Sequence, residues 1–513
     1  MSTQKRRHRD EGDISMKKVV ALIVVLVVAW LGATFYVGMR AETLVRDEVA
    51  GLEVIPGQSD IVFDVLRYDR GLFRSEAVTC LIAQGELASN PNMAMLSGQI
   101  CSLSTIHHGP FAWTDEGLFV GVAASEEVLD LSELPPEMAA MVNEIFQGKP
   151  PVTGYSRYGF DGSLTMKVAV SPVNLEAPMG KVVLEELQLD VLRPTADTYP
   201  VNTYLSLQGL DVSSPKMGFA VDSLTGAVDI VAMLGGELPL ADINLAGKQL
   251  RWSQGEQPML AFDLTLQGNS KDHGDTLSGD SRLWLENISG PMVPLPMDSA
   301  YLGMDYAGLD RQALVKVHAL NREMDEIQTR ALMGALTGNG EQDMEQQMAR
   351  IQTLLAEMTQ VAAEQLLHPG DSELSLQMLV DHQGERQLTV DSKARYLGLD
   401  GNNLPADELM ALSEAQIQQM LDVQVRVDMH ESLVPASYVA RLTALAEQGV
   451  VERQGERWSS VISANGGALS LNGQLVSAEE LQERMKAVSG PAGTPEAAEA
   501  ETALDDPLAY QVD

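Results

Sequence analysis

Period-two alternation of apolar and polar residues dominates most of the chain. Leu421, Val423, Val425, Val427 and Met429 interleave with Asp422, Gln424, Arg426, Asp428 and His430, so one strand carries an apolar and a polar face. The same pattern recurs at Glu186–Val191, at Leu260–Gln267 and at Glu373–Met378. Half-buried strands of this kind pair antiparallel. Asn465-Gly466-Gly467 and Asn472-Gly473 supply the turn residues that tight hairpins need, so Trp458 to Val476 reads as a terminal β-meander. One block has a different period. Val317, Leu320, Met324, Ile327 and Ala331, then Met344, Met348, Ile351, Leu355, Met358 and Ala362, recur every three or four residues on either side of Gly338-Asn339-Gly340. This predicts a helical hairpin that stops at His368-Pro369-Gly370. Its seam, Val317, Leu320, Met324, Ile327, Met344, Met348, Ile351, Leu355 and Met358, can pack within the chain or serve as an association face for a homodimer. Shorter helices are expected at Ala406–Met420 and Pro435–Gly449.

A third pattern lies near the start. Val19 to Met39 is 21 residues without a charge, enough to cross a bilayer core of about 30 Å as a helix. Trp30, Phe35 and Tyr36 fall in its second half. It is longer than the apolar region of a cleaved signal peptide and lacks a good cleavage site, so it reads as an uncleaved signal anchor. Six basic and three acidic residues precede it, whereas Arg40 to Glu53 holds two basic and four acidic ones, which keeps the N-terminus cytoplasmic. Met16-Lys17-Lys18 is itself a good basic leader, so the first 15 residues read as an upstream extension or an alternative start. The expected class is α+β and mostly antiparallel β. Its regions are a cytoplasmic N-terminus (1–18), a transmembrane signal anchor (19–39), a periplasmic β-rich region (40–308), the helical hairpin (309–370), a C-terminal β-rich region with short helices (371–488) and a disordered acidic tail (489–513).

Composition then narrows the function. With 35 Lys+Arg against 72 Asp+Glu the net charge is −37, so the chain lacks the basic surface that nucleic acid or anionic lipid would need for general electrostatic binding. The two cysteines, Cys80 and Cys101, lie in strand-like runs on the exported side, where disulfides persist. A bridge between them closes a loop of about 20 residues and stabilises by roughly 3 kcal/mol on the chain-entropy model.

The chemistry-bearing motifs are sparse. There is no G-x-S-x-G elbow, Walker A loop, G-x-G-x-x-G or H-E-x-x-H, and no D-x-D-x-D-G calcium loop. His107 and His108 are adjacent on a strand, point to opposite faces and cannot readily share a metal; with Gly109-Pro110 following, they read as a strand terminus. Acidic pairs such as Glu185-Glu186 read as solvated faces. No catalytic, metal or cofactor residues are assigned, and no cofactor is expected. Gly-Leu-Asp recurs at Gly209, Gly308 and Gly398, too short a match to establish a repeat.

Tyr68-Asp69-Arg70-Gly71-Leu72-Phe73-Arg74-Ser75, then Ile106-His107-His108-Gly109-Pro110-Phe111, together with the Met16-Lys17-Lys18 anchor, resemble the YdgA/YihF-like family of Gram-negative envelope proteins, a family with a domain of unknown function. Asn472-Gly473 in a closing hairpin fits it too. The resemblance spans most of the chain and implies an inner-membrane anchor with a periplasmic β-rich body. It implies no activity. The acidic tail, the N-terminal extension and the cysteine pair are not carried over from it. In the first motif, Val62, Asp64, Leu66 and Tyr68 are expected on one strand face, Gly71 in a turn, and Tyr68 and Phe73 against the body, while Arg67, Arg70 and Arg74 form a small basic tip able to hold an anionic headgroup or partner. The expected role is a non-enzymatic envelope protein, anchored in the inner membrane by one helix, that binds a protein partner or itself. A lipid or glycolipid module with an apolar groove is the alternative, and an envelope enzyme with an unfamiliar site the second.

Overall fold

Strands with one apolar and one polar face pair edge to edge and stack their like-facing side chains in rows, and a computed structural model of the chain is built this way. It describes residues 61–83 and 100–486, apart from breaks at 133, 178–179, 196–198, 237, 294, 338–343, 406–407 and 409–410, together with individual positions between Thr34 and Arg46. Most of the 19–39 segment and the 489–513 tail lie outside the described residues. Among those described, no helix is long and apolar enough to cross a membrane. The fold is α+β, with a predominance of antiparallel strands.

The chain divides into two units, one mainly of residues 1–212 and the other mainly of 233–324 and 348–513. In the first, β1 (Ile61–Arg70), β2 (Arg74–Ala83) and β3 (Cys101–His108) pair in sequence. β4 (Phe111–Thr114) and β5 (Gly117–Val120) form a separate hairpin. β6 (Ala123–Asp130) rejoins β3, and after helix α1 (Pro136–Ile145) the sheet continues through β7 (Val152–Tyr158) and β8 (Leu164–Val170). The hairpin β9 (Val173–Ala177) and β10 (Gly180–Leu184) precedes β11 (Glu186–Arg193), which pairs with β8 and with β12 (Val201–Ser213).

β13 (Gly218–Leu234) has residues in both units. The second unit is a meander of β14 (Leu238–Gln254), β15 (Gln257–Asp272), β16 (Thr276–Ser289) and β17 (Ser299–Asp310). There the helical block intervenes as α2 (Arg311–Thr337) and α3 (Met344–Val361), whose residues 325–347 group with the first unit; α3 ends in one π turn. The sheet resumes with β18 (Glu373–His382) beside β17, then β19 (Glu385–Tyr396) and, after α4 (Glu414–Gln419), β20 (Leu421–His430). Helix α5 (Ala436–Glu447) leads to β21 (Glu452–Gln454), β22 (Arg457–Asn465), β23 (Ala468–Leu471) and β24 (Gln474–Val476), the expected meander, and α6 (Ala478–Lys486) follows.

Two local expectations change, and a third gains its reason. The helix expected over Ala406–Met420 is helical at Glu414–Gln419, where Ser413 and Gln416 close a capping box that sets its start. In β1 a bulge between Val65 and Arg67 breaks the alternation, so Tyr68 shares a face with Val65 rather than with Leu66. Gly71 lies in the β1–β2 turn as expected, without a left-handed conformation. It is needed for close approach, because a Cβ there would lie 2.3 Å from the Arg74 carbonyl oxygen. The three glycines of the Gly-Leu-Asp tripeptides do share a left-handed backbone, with φ of 59°, 68° and 68° at Gly209, Gly308 and Gly398.

Candidate functional site

The first unit concentrates chemistry-bearing side chains where β1, β2 and β3 end. His108 is 3% exposed; its Nε2 lies 2.8 Å from Ser75 Oγ and its Nδ1 3.1 Å from the Leu72 carbonyl oxygen. A carbonyl only accepts, so Nδ1 carries the proton and Nε2 accepts from Ser75. Burial pushes the imidazole pKa below its ordinary value. His107 points to the other face, 3.5 Å from Glu126. Gly38 lies on the His108 ring, where a Cβ would come 2.7 Å from Nδ1. Three residues on, Ala41 packs into a core with Val65, Ala77, Ile106 and Ala123. Thr34, Gly38 and Ala41 follow helical spacing, Thr34 and Ala41 are both buried, and the described helical positions therefore seat one face on this sheet.

The expected basic tip is internally neutralised. Arg67 pairs with Asp69 at 3.1 Å, Arg70 with Glu42 at 4.0 Å, and Arg74 with Glu76 at 3.2 Å. Phe73, expected to pack on the body, is 46% exposed. Cys80 and Cys101 face each other across β2 and β3 as a buried disulfide, with Cα atoms 4.0 Å apart.

The helical arms place the expected association residues on more than one face. Ile327 is buried, and Val317, Leu320, Met324, Ile351 and Met358 are half-buried. Met348 and Leu355 are exposed; Leu354 and Val361 take the buried positions instead. The side chain of Met344 lies outside the described residues. Arg350 ties the arms together through Glu323 at 2.7 Å.

What sequence periodicity did not single out is the continuity of one sheet face in the second unit. Registers place Leu245, Leu266, Leu283, Leu302, Met378, Val390 and Val427 in a single row across seven strands. None of the seven is buried, and Leu302 is 41% exposed. One residue along, on the opposite face, the row reads Asn244, Gln267, Arg282, Gly303, Gln377, Asp391 and Arg426. Its members from Arg282 to Arg426 line a hollow of about 400 Å³ in which Arg282 pairs with Asp305 and Gln377 donates to Asp391 at 2.8 Å. The signal for the apolar row was present in every alternating strand; only the register aligns those strands.

Two bulges flank this row. Asp263, buried in mid-β15, accepts from the Gln249 backbone N–H at 2.7 Å, from Lys248 Nζ at 3.3 Å and from Asn287 Nδ2 at 2.9 Å. The Gln249 N–H is the main reason its carboxyl stays below the usual range. Among the described residues, no group of three or more His, Cys, Asp or Glu side chains could hold a metal.

Comparison with known proteins gives one family and one relative. A family described as "Bacterial protein of unknown function (DUF945)" matches residues 16–479. Protein YdgA of Escherichia coli (strain K12) is 28% identical over 184 residues, which is 34% of this chain and 35% of that protein, so the match spans about a third of the relative's length. No solved structure matches.

Proposed function

The chain belongs to the DUF945 family of bacterial proteins, and on that premise we propose that it is a non-enzymatic envelope protein, held at the inner membrane by its N-terminal helix, that binds acyl chains of a lipid or glycolipid on its second unit. The observation that carries this reading is the seven-strand apolar row with no buried member. Apolar surface that stays in part accessible to water costs free energy in proportion to its area, and exposed apolar patches mark binding surfaces; Leu302 and Met378 are the exposed members of this row. The occupant is read from the chemistry of the row. It consists of Leu, Met and Val, without the Tyr, Trp and Arg anchors that protein interfaces favour. Its one methionine, Met378, adds an unbranched, adaptable side chain that suits a partner of variable shape such as an acyl chain. Location is supported by the uncharged 19–39 run, by the charge asymmetry around it and by the Cys80–Cys101 disulfide, which suits an oxidising compartment.

Native mass spectrometry with lipid extraction of the detergent-purified full chain tests the binding. Phospholipid or glycolipid retained in fixed ratio supports it; a stable lipid-free dimer overturns it in favour of self-association, for which exposed Met348 and Leu355 on α3 are the specific candidates. Topology is tested separately by a C-terminal reporter, which should be active only on the periplasmic side.

A further inference from the structure

Large apolar side chains gather at one end of the first unit. In the β4–β5 hairpin Phe111 pairs with Val120 and Trp113 with Leu118, and all four are more than half exposed. Their orientation is set by the other face of the hairpin. Ala112 and Thr114 are buried, Thr114 Oγ lies 3.3 Å from the Tyr155 hydroxyl, the Asp115 N–H donates to Glu126 at 2.7 Å, and Arg157 sits over the Phe119 ring at 5.6 Å. The hairpin is therefore fastened to the sheet through its inner face and presents the apolar one outward.

The same end carries more. The His108 N–H donates to the Phe73 carbonyl, the Gly109 N–H to Val122 and the Val122 N–H to Tyr158, so the exposed rings of Phe73 and Phe160 share this end with Phe111. Here too Gly38 lies against His108. Gly38 and Met39 are the last residues of the uncharged run.

We propose that this rim of the first unit rests in the headgroup region of the bilayer from which the N-terminal helix emerges, with Trp113 and Phe111 as its anchors. The inference rests on the anchor in the reading above, and not on acyl-chain binding by the second unit. Two considerations choose a lipid surface over a protein partner. Phe111 follows His108 by three residues, a reach of at most about 11 Å, so the hairpin starts beside the point where the uncharged run meets the body. Aromatic rings at such a point match the amphipathic environment of the interface, where Trp and Tyr are enriched.

Tryptophan fluorescence of the full chain, reconstituted into phosphatidylethanolamine–phosphatidylglycerol vesicles with bromine near the headgroup or deep in the acyl chain, tests this. The difference between Trp30→Phe and the double variant Trp30→Phe/Trp113→Phe isolates Trp113. The difference between Trp113→Phe and the double variant isolates Trp30. Trp252, Trp284 and Trp458 cancel in both. Trp113 is 73% exposed, so its replacement by Phe leaves the fold intact. Loss of most Trp113 emission with the shallow bromine, alongside loss of Trp30 emission with the deep one, is the expected result. Trp113 emission that ignores bromine while Trp30 is quenched overturns the rim and spares the anchor; if Trp113 is then also shielded from acrylamide, the rim faces protein. Trp30 emission that ignores bromine overturns the anchor, and the rim with it.

Discussion

His108 shows how much one side chain depends on its surroundings. As a histidine on a strand it is unremarkable in sequence; buried between Ser75 and Leu72 it must stay neutral. Its folded pKa lies below the ordinary value of about 6.5, so the unfolded chain binds a proton first as pH falls. Stability is therefore complete above that value and declines as pH drops toward the lowered one. His108→Gln should remove this slope, at a cost of about 1–2 kcal/mol at neutral pH from the hydrogen bonds lost. Urea midpoints at pH 7.5 and 5 for both proteins check it; equal slopes in the two would refute the assignment. Asp263 behaves in the opposite sense. Its lowered pKa contributes stability that is present above about pH 4 and is lost as pH falls further. Asp263→Ala, which orphans the two bulges, should cost roughly 2–4 kcal/mol in the same assay.

At the scale of elements, helical periodicity located the two arms but not the buried phase of the second. Met348 and Leu355 fit a three-or-four spacing as well as Leu354 and Val361 do, and an arm with several apolar faces cannot say which one the body covers. The difference is measurable. Leu354 is 0% exposed, so Leu354→Ala should cost about 2–5 kcal/mol, whereas the adjacent Leu355→Ala should cost less than about 1 kcal/mol. Thermal unfolding of the two variants compares them directly, and equal losses would mean that the arm buries both. The β1–β2 hairpin makes the same point. Its strands and its turn were legible from Tyr68 to Ser75, but the bulge after Val65 was not, because a bulge depends on the partner strand's register.

For the whole molecule, the apolar row of the second unit separates stability from binding. Leu302 is half-exposed, so Leu302→Ser should shift unfolding by less than about 1 kcal/mol while cutting the lipid retained by the purified protein. A large loss of stability with lipid unchanged would make that row an ordinary core. By itself the sequence determined the strand and helix classes, the uncharged N-terminal run, the facing cysteine strands and the family resemblance, because each depends on residue type and on spacing along the chain. Only the tertiary structure decided that seven alternating strands align into one apolar row with no buried member, that Asp263 holds two bulges, and that Gly38 meets His108 beside an exposed aromatic hairpin. Those features depend on register and on contacts between residues far apart in sequence, and no local pattern encodes either.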